Sequence, residues 1–315
     1  MLQESKNCDW FKEKAICITG GGGFLGLRLA QEILNYNPKK VVAFGRKPIS
    51  QNNSLLKHKN YEYIVGNVLD PKALKSALKD CSVVYHLAAL KNAHSSKLEP
   101  LKHFETNTYG TANVLEICRS LDIINFIYVS TGHVYGCPNY LPVDEKHETN
   151  PLSIYAASKL SGENIVAGYS TSYGLSCNIV RLANMYGELN TETIIGRAIK
   201  QAINGGPIHL FNLQTIRDFI HVYDVVEALL RIATVRNKHN DCRIVNVSSG
   251  KGTSAEKIAN MLSQICIENN YGKISIQGDD RYERIKEFYL DNTYLIKLTG
   301  WQPQINLSKG LRLFF

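Results

Sequence analysis

The chain has 315 residues, of which 44% are hydrophobic and 20% are charged, and its formal net charge is +8 at pH 7. These values exclude an intrinsically disordered chain and favour one large α/β domain with a smaller appended lobe. The lysines are scattered, with no basic run interleaved with aromatic residues, so we expect an anionic small ligand and no nucleic-acid partner.

The cysteines and the first residues indicate a compartment. The eight cysteines lie far apart in the sequence, several of them in apolar strand-like runs, which predicts reduced thiols. The segment MLQESKNCDWFKEK contains no apolar signal sequence, and the chain has no run of about 18 apolar residues to span a bilayer. We therefore expect a cytoplasmic protein with neither a membrane partner nor a metal site.

Strand-length apolar runs alternate with helix-period segments from the first strand onwards. The order is AICITG, GFLGLRLAQEILNY, KVVAFG, YEYIVGNV, PKALKSAL and CSVVYHLAA. Two later strands, FIYVST and SCNIVRLA, flank a helix-period stretch from Ile154 to about Tyr173. This alternation predicts a Rossmann-type α/β fold, a doubly wound parallel sheet with helices on both faces.

The alternation breaks down from about Met185, where a mixed pattern indicates a smaller, discontinuous α/β lobe for substrate binding. RIVNVSS resembles a strand that returns to the first domain. We therefore expect a dinucleotide-binding domain over 1–184 with return segments at about 215–250. The substrate-binding lobe is expected over about 185–214 and 251–315.

A glycine-rich turn joins the first predicted strand to an amphipathic helix. Gly20, Gly23 and Gly26 have the spacing GxxGxxG, and Phe24 and Leu25 complete the segment. Glycine permits the tight turn and lets backbone N–H groups and the helix N-terminus approach a pyrophosphate. The position between strand and helix predicts a dinucleotide site, although glycine clusters also form plain loops.

The end of the second strand bears on the choice of cofactor. A carboxylate at this place holds the adenosine ribose hydroxyls of NAD. The chain has Phe44-Gly45-Arg46-Lys47 there instead. A guanidinium without a carboxylate favours a 2′-phosphate, so we expect NADP in preference to NAD; the alternative is that Arg46 is a solvated loop residue.

Three further side chains form a candidate catalytic group. Tyr155 and Lys159 are four residues apart, which places them on one face of a helix. A lysine ammonium beside a phenol lowers the pKa of the phenol, which lets tyrosinate exchange a proton with a sugar hydroxyl or carbonyl. Thr131, at a strand end, can hydrogen-bond the same reacting oxygen; its alternative role is a bond to the backbone.

The motifs GGGGFLG, YHLAA, VSTGHVYG, SIYAASKLSGE, RLANMYG and RDFIHVYDV follow one another along the chain. In order and spacing the chain resembles the NDP-sugar epimerase/dehydratase family of extended short-chain dehydrogenases/reductases, typified by UDP-glucose 4-epimerase. The resemblance covers nearly the whole chain. It implies a NAD(P)-dependent enzyme that acts on a nucleotide-diphosphate sugar.

The resemblance implies roles for individual positions. It makes Thr131 the active-site hydroxyl, Tyr155 the acid/base tyrosine and Lys159 the ribose-binding lysine. Asn67 and Val68 stand where an aspartate and an aliphatic residue usually meet adenine, so Asn67 departs from the family pattern.

The resemblance also implies further contacts and an oligomeric state. The strand end that passes the cofactor corresponds to Leu87, Ala88 and Ala89, and a helix asparagine near the active site corresponds to Asn107. The positions expected to bind the nucleotide-sugar are Lys91, Thr131, Asn184, Arg217 and Arg281. Relatives imply a homodimer whose interface includes the helix bearing Tyr155.

The residues after Thr131 bear on the reaction. Dehydratase relatives have an Asp-Glu pair where this chain has Gly132-His133, and elimination of water needs that acid and base. A 4-epimerase is therefore the first expectation, and an NADPH-dependent reductase of NDP-4-keto-6-deoxysugars is the alternative. Two further hypotheses are a 3,5-epimerase in which His133 moves a proton and a non-catalytic dinucleotide-binding module.

Overall fold

The computed structural model describes residues 9–91, 93–188, 193–235, 237, 241–272, 274–279 and 283–315. The chain forms two compact units. Unit 1 comprises Met1–Val134, Asn150–Arg181 and Val226–Val245. Unit 2 comprises Tyr135–Thr149, Leu182–Val225 and Asn246–Phe315.

A seven-stranded sheet organises unit 1. In chain order its strands are β1 (Ala15–Thr19), β2 (Lys40–Gly45), β3 (Tyr61–Val65), β4 (Val83–His86), β5 (Asn125–Thr131), β6 (Ser176–Leu182) and, after three strands of unit 2, β10 (Cys242–Val247). The spatial order is β10-β6-β5-β4-β1-β2-β3. The pairings β1 with β2, β1 with β4, β2 with β3 and β4 with β5 are all parallel.

This strand order confirms the predicted Rossmann-type α/β fold. The direction of winding reverses between β1 and β4, and in open α/β sheets ligands bind outside the carboxyl ends of the strands at such a reversal. Every residue of β1 and β4 is buried, as expected for central parallel strands that helices cover on both faces.

Eleven α-helices lie wholly within the described chain. They are α1 (Phe24–Leu34), α2 (Pro71–Leu78), α3 (Ala93–Leu98), α4 (Pro100–Phe104), α5 (Gly110–Ser120), α6 (Ile154–Tyr173), α7 (Ile194–Ile203), α8 (Val222–Thr234), α9 (Ala255–Glu268), α10 (Thr293–Thr299) and α11 (Leu307–Arg312). A π-helical turn at Glu105–Tyr109 joins α4 to α5. No helix in the described part of the chain is long and apolar enough to cross a membrane.

Local sequence sets the ends of α6. The Ser153 side chain accepts a hydrogen bond from the Ala156 N–H at the N-terminus, and Gly174 follows the last helical residue with φ of +74°. A hydroxyl N-cap and a left-handed glycine after the C-terminus are standard helix ends. The helix therefore begins one residue before Tyr155, so Tyr155 lies in its first turn and Lys159 one turn later.

Unit 2 contains two small sheets around its own core. Their strands are β7 (Asn184–Tyr186), β8 (Ile208–Phe211), β9 (Ile216–His221), β11 (Gly252–Ser254), β12 (Ile276–Asp279) and β13 (Glu287–Phe288). β9 pairs with β7, β11 and β13, and β8 pairs with β12. Helices α7 and α9 contribute Ile195, Ile199, Ile258 and Leu262 to the core.

The two units differ in extent from the domains expected from the sequence. Return segments at about 215–250 were expected in the first domain. Strand β9 falls within this range, but it lies in a sheet of unit 2 because all its partner strands belong to that unit. The segment Tyr135–Thr149 also belongs to unit 2. By contrast, β10 is an edge strand of the seven-stranded sheet. The substrate-binding role of unit 2 stays a prediction.

Candidate active site

The glycine-rich turn at the end of β1 forms a cradle without side chains. Gly20 has φ of +71°, and a Cβ added to it would lie 2.8 Å from the Ala88 nitrogen. A Cβ added to Gly26 would lie 2.5 Å from the Gly20 oxygen. Both positions therefore require glycine, one for its backbone conformation and its neighbour, the other for the close approach of helix and turn.

The start of α1 offers hydrogen-bond donors to an anion. Gly23 is the N-cap and no side chain caps the helix. The first helical hydrogen bond runs from the Leu27 N–H to the Gly23 oxygen at 2.9 Å, so the N–H groups of Phe24, Leu25 and Gly26 precede it. Such N–H groups and the helix dipole suit a pyrophosphate, and the residues present therefore fit a dinucleotide.

The segment after β4 lies beside this turn. The Leu87 N–H donates to the Thr19 oxygen at 3.1 Å, and the Ala88 N–H donates to the Thr19 hydroxyl at 3.3 Å. Ala89, the next residue, is half-buried, as Leu87 and Ala88 are. The structure thus brings together the two segments that the sequence assigned to the cofactor on β1 and β4.

The residues assigned to the adenosine end differ in exposure. Arg46 is exposed after β2 and forms no ion pair or hydrogen bond with any described residue. Asn67 is also exposed, and its side chain accepts from the N–H of Leu69 at 3.1 Å. Val68 is buried, and its side chain packs against the Cα of Gly110. Contact of Asn67 and Val68 with adenine stays a prediction.

The Thr131 side chain lies close enough to the Tyr155 phenol to lower its pKa. Thr131 is the last residue of β5 and is buried, whereas Tyr155 is half-buried in the first turn of α6. The Thr131 hydroxyl also accepts a hydrogen bond from the His133 N–H at 3.3 Å. Thr131 therefore makes the backbone contact that was considered for it, and its bond to a reacting sugar oxygen stays a prediction.

Burial dominates the electrostatics of the candidate catalytic pair. It raises the pKa of Tyr155 to about 12, while the nearby Thr131 side chain lowers it. Burial also lowers the pKa of Lys159 to about 7, and the Glu163 carboxylate opposes this shift. Lys159 was expected to lower the pKa of Tyr155, but in the protein without ligands the loss of hydration outweighs any such effect, so the phenol is neutral at pH 7.

Lys159 lies one helical turn after Tyr155, with its ammonium packed on an aromatic ring. Its Nζ is 3.9 Å from the centroid of the Tyr128 ring. The Tyr128 hydroxyl donates to the Lys159 carbonyl at 3.2 Å. Tyr128 is on β5, so this contact sets the height of α6 above the sheet.

Asn107 links α6 to the loop after β4. Its Oδ1 accepts from the Leu90 N–H at 2.7 Å, and its Nδ2 donates to the Leu90 carbonyl and to the Ser158 hydroxyl, both at 2.9 Å. Asn107 lies in the π-helical turn, a distortion often found at functional sites. The sequence placed Asn107 near the site but missed Ser158, whose only signal is its position between Tyr155 and Lys159.

A buried histidine, also missed from the sequence, connects this group to the glycine-rich turn. His86 Nδ1 is 2.6 Å from the Thr19 hydroxyl, and its Nε2 is 3.0 Å from the Thr111 hydroxyl. Thr111 in turn donates to the Asn107 carbonyl at 2.7 Å. Burial, together with the charge of Lys159, lowers the pKa of His86 to about 3, so the imidazole is neutral. The hydrogen bonds therefore form a continuous chain from β1 to Asn107.

A buried ion pair holds the other side of α6. Arg181 Nη2 lies 2.6 Å from Glu163 Oε2, and both side chains are less than 5% exposed. The Ser130 hydroxyl donates to the same carboxylate. Ser130 immediately precedes Thr131, and Glu163 follows Lys159 by one turn, so the pair restrains both segments that carry the candidate catalytic residues.

The remaining assigned residues are exposed in unit 1, belong to unit 2 or lie outside the described residues. Lys91 and His133 are exposed in unit 1. In unit 2, Asn184 donates to the Asp218 carbonyl at 3.1 Å. Arg217 donates to the Ile285 carbonyl at 2.8 Å.

Arg217 is more fully engaged than a solvent-exposed ligand would be. It also donates to the Ile216 carbonyl at 2.8 Å and lies 3.4 Å from a Glu283 carboxylate oxygen. Burial lowers the pKa of its guanidinium. Arg281 lies outside the described residues, so contact of a nucleotide-sugar with these residues stays a prediction.

Known proteins resemble the chain over almost its whole length. A family model described as NAD dependent epimerase/dehydratase family matches residues 16–248. A putative UDP-glucose 4-epimerase of Methanocaldococcus jannaschii is 32% identical over 309 residues, which are 94% of this chain and 96% of the relative.

Two solved structures have the same fold. UDP-glucose 4-epimerase of Thermotoga maritima with UDP-glucose matches with a TM-score of 0.85 and 25% identity, covering 95% of this chain and 96% of the other. UDP-glucuronic acid 4-epimerase of Bacillus cereus, in complex with UDP-glucuronic acid and NAD, has a TM-score of 0.85 and 26% identity, covering 95% and 97%. The resemblance inferred from the motifs is therefore confirmed.

Proposed function

Because the chain belongs to the NAD-dependent epimerase/dehydratase family, we propose that it inverts C4 of a nucleotide-diphosphate sugar. The observation that carries this proposal is the placement of Thr131 beside Tyr155, with Lys159 one helical turn further on. These three residues lie in the same unit as the glycine-rich turn. A phenol, a hydroxyl and a lysine suit proton exchange at a sugar oxygen.

The chain's own residues supply the proton chemistry. Tyr155 takes the proton of the C4 hydroxyl during oxidation and returns it during reduction, while Thr131 hydrogen-bonds the same oxygen. When bound, the dinucleotide supplies the hydride acceptor and, in its oxidised form, a positive charge that lowers the pKa of a nearby phenol. A protonated Lys159 acts in the same direction, against the effect of burial on Tyr155.

The network around Asn107 positions these groups. Its amide holds the loop after β4 and the Ser158 hydroxyl, so α6 and the strand end keep one spacing. The Glu163–Arg181 pair restrains the same helix from its other side. Fixed geometry of this kind lowers the barrier because the reacting groups need no reorganisation.

The relatives bear on the sugar substrate, and Arg46 bears on the dinucleotide cofactor. The Bacillus cereus relative is described with UDP-glucuronic acid and NAD, and the Thermotoga maritima relative with UDP-glucose. We propose a UDP-hexose as substrate. Arg46, exposed and without a described partner, supports NADP in preference to NAD.

The exposed Arg46 also favours a second candidate function, the NADPH-dependent reduction of an NDP-4-keto-6-deoxysugar. An epimerase recovers its cofactor in each cycle, whereas a reductase consumes NADPH. The 3,5-epimerase and non-catalytic hypotheses have less support, since His133 is exposed and Thr131, Tyr155 and Lys159 are all present. A homodimer remains a prediction.

The two candidates can be separated with purified protein. UDP-glucose, UDP-galactose, UDP-glucuronate and a UDP-4-keto-6-deoxyhexose are incubated with NAD⁺, NADP⁺ or NADPH. Proton NMR follows inversion at C4, and absorbance at the reduced-nicotinamide band follows consumption of NADPH. We expect inversion without net change in cofactor. Stoichiometric NADPH oxidation on the keto sugar, without inversion of any simple sugar, contradicts the epimerase proposal.

A further inference from the structure

Two glycines near the predicted adenosine site are explained neither by the GxxGxxG spacing nor by backbone conformation. Gly22 lies within the turn but outside the spaced positions, and Gly45 ends β2. Neither has a positive φ angle. A glycine that is not needed for its φ angle indicates that something occupies the place of its side chain.

The group in that place is the phenol of Tyr63. A Cβ added to Gly45 would lie 2.5 Å from the Tyr63 hydroxyl oxygen, and the nearest atom to a Cβ added to Gly22 is the same oxygen. Tyr63 is on β3, which pairs in parallel with β2 so that Tyr63 is opposite Ala43. Its hydroxyl therefore reaches past the end of β2 to the glycine-rich turn.

The Tyr63 hydroxyl also binds the segment that carries Arg46. It donates a hydrogen bond to the Lys47 carbonyl at 2.6 Å. Burial raises the pKa of this phenol, so it stays neutral. The neighbouring acidic residue of β3, Glu62, forms an ion pair with Lys40 at the beginning of β2. The end of β2 thus holds a neutral hydroxyl and an unpaired guanidinium.

We propose that Tyr63 determines the specificity of the adenosine ribose site. Its phenol occupies the position from which a residue-45 carboxylate would bind the ribose hydroxyls, and it fixes the backbone on which Arg46 is carried. This arrangement selects a ribose that bears a 2′-phosphate, because the phosphate meets a cation and no carboxylate repels it. The inference rests on the proposed binding of a dinucleotide.

One consequence is specific to this arrangement. A side chain introduced at position 45 alone clashes with Tyr63, because its Cβ would lie 2.5 Å from the Tyr63 hydroxyl oxygen. Without that hydroxyl the nearest atom of the ring is Cζ at 3.4 Å, an ordinary contact. Gly45→Asp should therefore require Tyr63→Phe before it can bind a ribose.

Direct titration tests the inference. The dissociation constants of NADP⁺ and NAD⁺ are measured by calorimetry for the wild type, Tyr63→Phe, Gly45→Asp and the double variant, with circular dichroism as the check on folding. Tyr61→Phe is the matched control: it is on the same strand, and its hydroxyl has no hydrogen-bond partner among the described residues.

We expect the wild type and Tyr61→Phe to prefer NADP⁺. Tyr63→Phe should weaken NADP⁺ binding about fivefold relative to NAD⁺, the size of one lost hydrogen bond. Gly45→Asp should weaken both ligands, and the double variant should bind NAD⁺ about tenfold more tightly than Gly45→Asp does, the effect of a well-placed carboxylate.

Three results overturn the inference alone: a wild-type preference for NAD⁺, an unchanged ratio of the two constants in Tyr63→Phe, or a double variant that binds NAD⁺ no better than Gly45→Asp. Binding of neither dinucleotide by the folded wild type overturns the proposed function itself. Calorimetry distinguishes these outcomes because it does not depend on turnover.

Discussion

The candidate residues of the two units are held in different ways. In unit 1 the polar side chains bind one another, as Asn107 binds Ser158 and Glu163 binds Arg181. In unit 2 Asn184 and Arg217 bind mainly to main-chain carbonyls. A network of side chains fixes a geometry before any ligand binds, whereas a ligand of Arg217 must compete with acceptors already in place.

This contrast agrees with the different roles proposed for the two units, proton transfer and substrate binding. In the proposed function, unit 1 carries the groups assigned to proton transfer, which need a fixed geometry to act. The residues of unit 2 are assigned to substrate binding, for which an exchange of hydrogen-bond acceptors is tolerable. The following predictions test the contrast, beginning with the largest expected effect.

Tyr155→Phe should separate chemistry from binding in unit 1. Loss of the acid/base hydroxyl is expected to lower kcat about 10³-fold, the usual contribution of a positioned proton-transfer group. Binding of the dinucleotide should change less than about twofold, because the phenol is not part of the glycine-rich turn. Steady-state kinetics and calorimetry provide the two measurements.

Tyr173→Phe is the matched control for this variant, since Tyr173 is exposed at the end of the same helix. It should keep wild-type turnover. Retained activity in Tyr155→Phe would remove the assigned role of the phenol and the preorganised chemistry attributed to unit 1.

Glu163→Gln should show that the network of unit 1 stabilises the fold. The substitution leaves the buried Arg181 guanidinium without its carboxylate, which is expected to reduce the free energy of unfolding by about 3 kcal/mol. Urea titration measures the change. Glu116→Gln breaks an exposed pair with Arg119 and should cost less than about 1 kcal/mol; equal losses in the two variants would contradict the distinction.

The pH dependence of stability should reveal His86. Its native pKa, about 3, is below its ordinary value of 6.5. Between these values the unfolded chain binds a proton that the native state does not, so the free energy of unfolding falls as the pH falls. The slope contributed by this one group approaches about 1.4 kcal/mol per pH unit.

His86→Gln keeps two polar atoms for Thr19 and Thr111 and should remove that part of the slope in urea titrations between pH 6.5 and 4. The variant can be less stable at pH 7; the slope is the diagnostic quantity. A wild-type slope in His86→Gln would show that the imidazole is not buried in neutral form.

Arg217→Met tests the binding role assigned to unit 2. Loss of the guanidinium group is expected to raise KM for the nucleotide-sugar about tenfold, while kcat changes less than about twofold. This pattern is typical of a group that binds substrate without taking part in the chemistry. Arg119→Met, an exposed arginine of unit 1, is the control. An unchanged KM would mean that Arg217 only ties β9 to its neighbours.

His133→Asn has the smallest expected effect. The side chain is exposed, and the backbone N–H group of His133 donates to the Thr131 hydroxyl. We expect kcat within about twofold of wild type and no change in deuterium uptake from solvent into the sugar, since an exposed group makes a small contribution. A large loss of turnover together with a loss of deuterium at C3 or C5 would instead favour the 3,5-epimerase hypothesis.

Much of unit 1 could be predicted from the sequence because its signals are local. The alternation of strands and helices gave the fold class, and Ile154 and Tyr173 are the observed ends of α6. The extent of the units was harder to predict. Strand β9 follows β8 in sequence, but its pairing with β7, β11 and β13 is decided by segments on both sides of it.

The candidate site shows the same limit. Thr131, Tyr155 and Lys159 were found because each belongs to a short motif, whereas His86 and Tyr63 were missed as functional residues. His86 meets Thr19 across 67 residues, and Tyr63 meets Lys47 across 16. Contacts between residues so far apart in sequence arise from the register of neighbouring strands and leave no periodic pattern in the sequence.

By itself, the sequence determined the Rossmann-type fold, the glycine-rich turn and the spacing of Tyr155 and Lys159, since all three depend on residues a few positions apart. Only the tertiary structure decided the protonation states and which side chains lie beside the glycine-rich turn. Burial, which keeps Tyr155 neutral, and the parallel pairing of β2 with β3, which brings the Tyr63 phenol to Gly45, are properties of the packed chain.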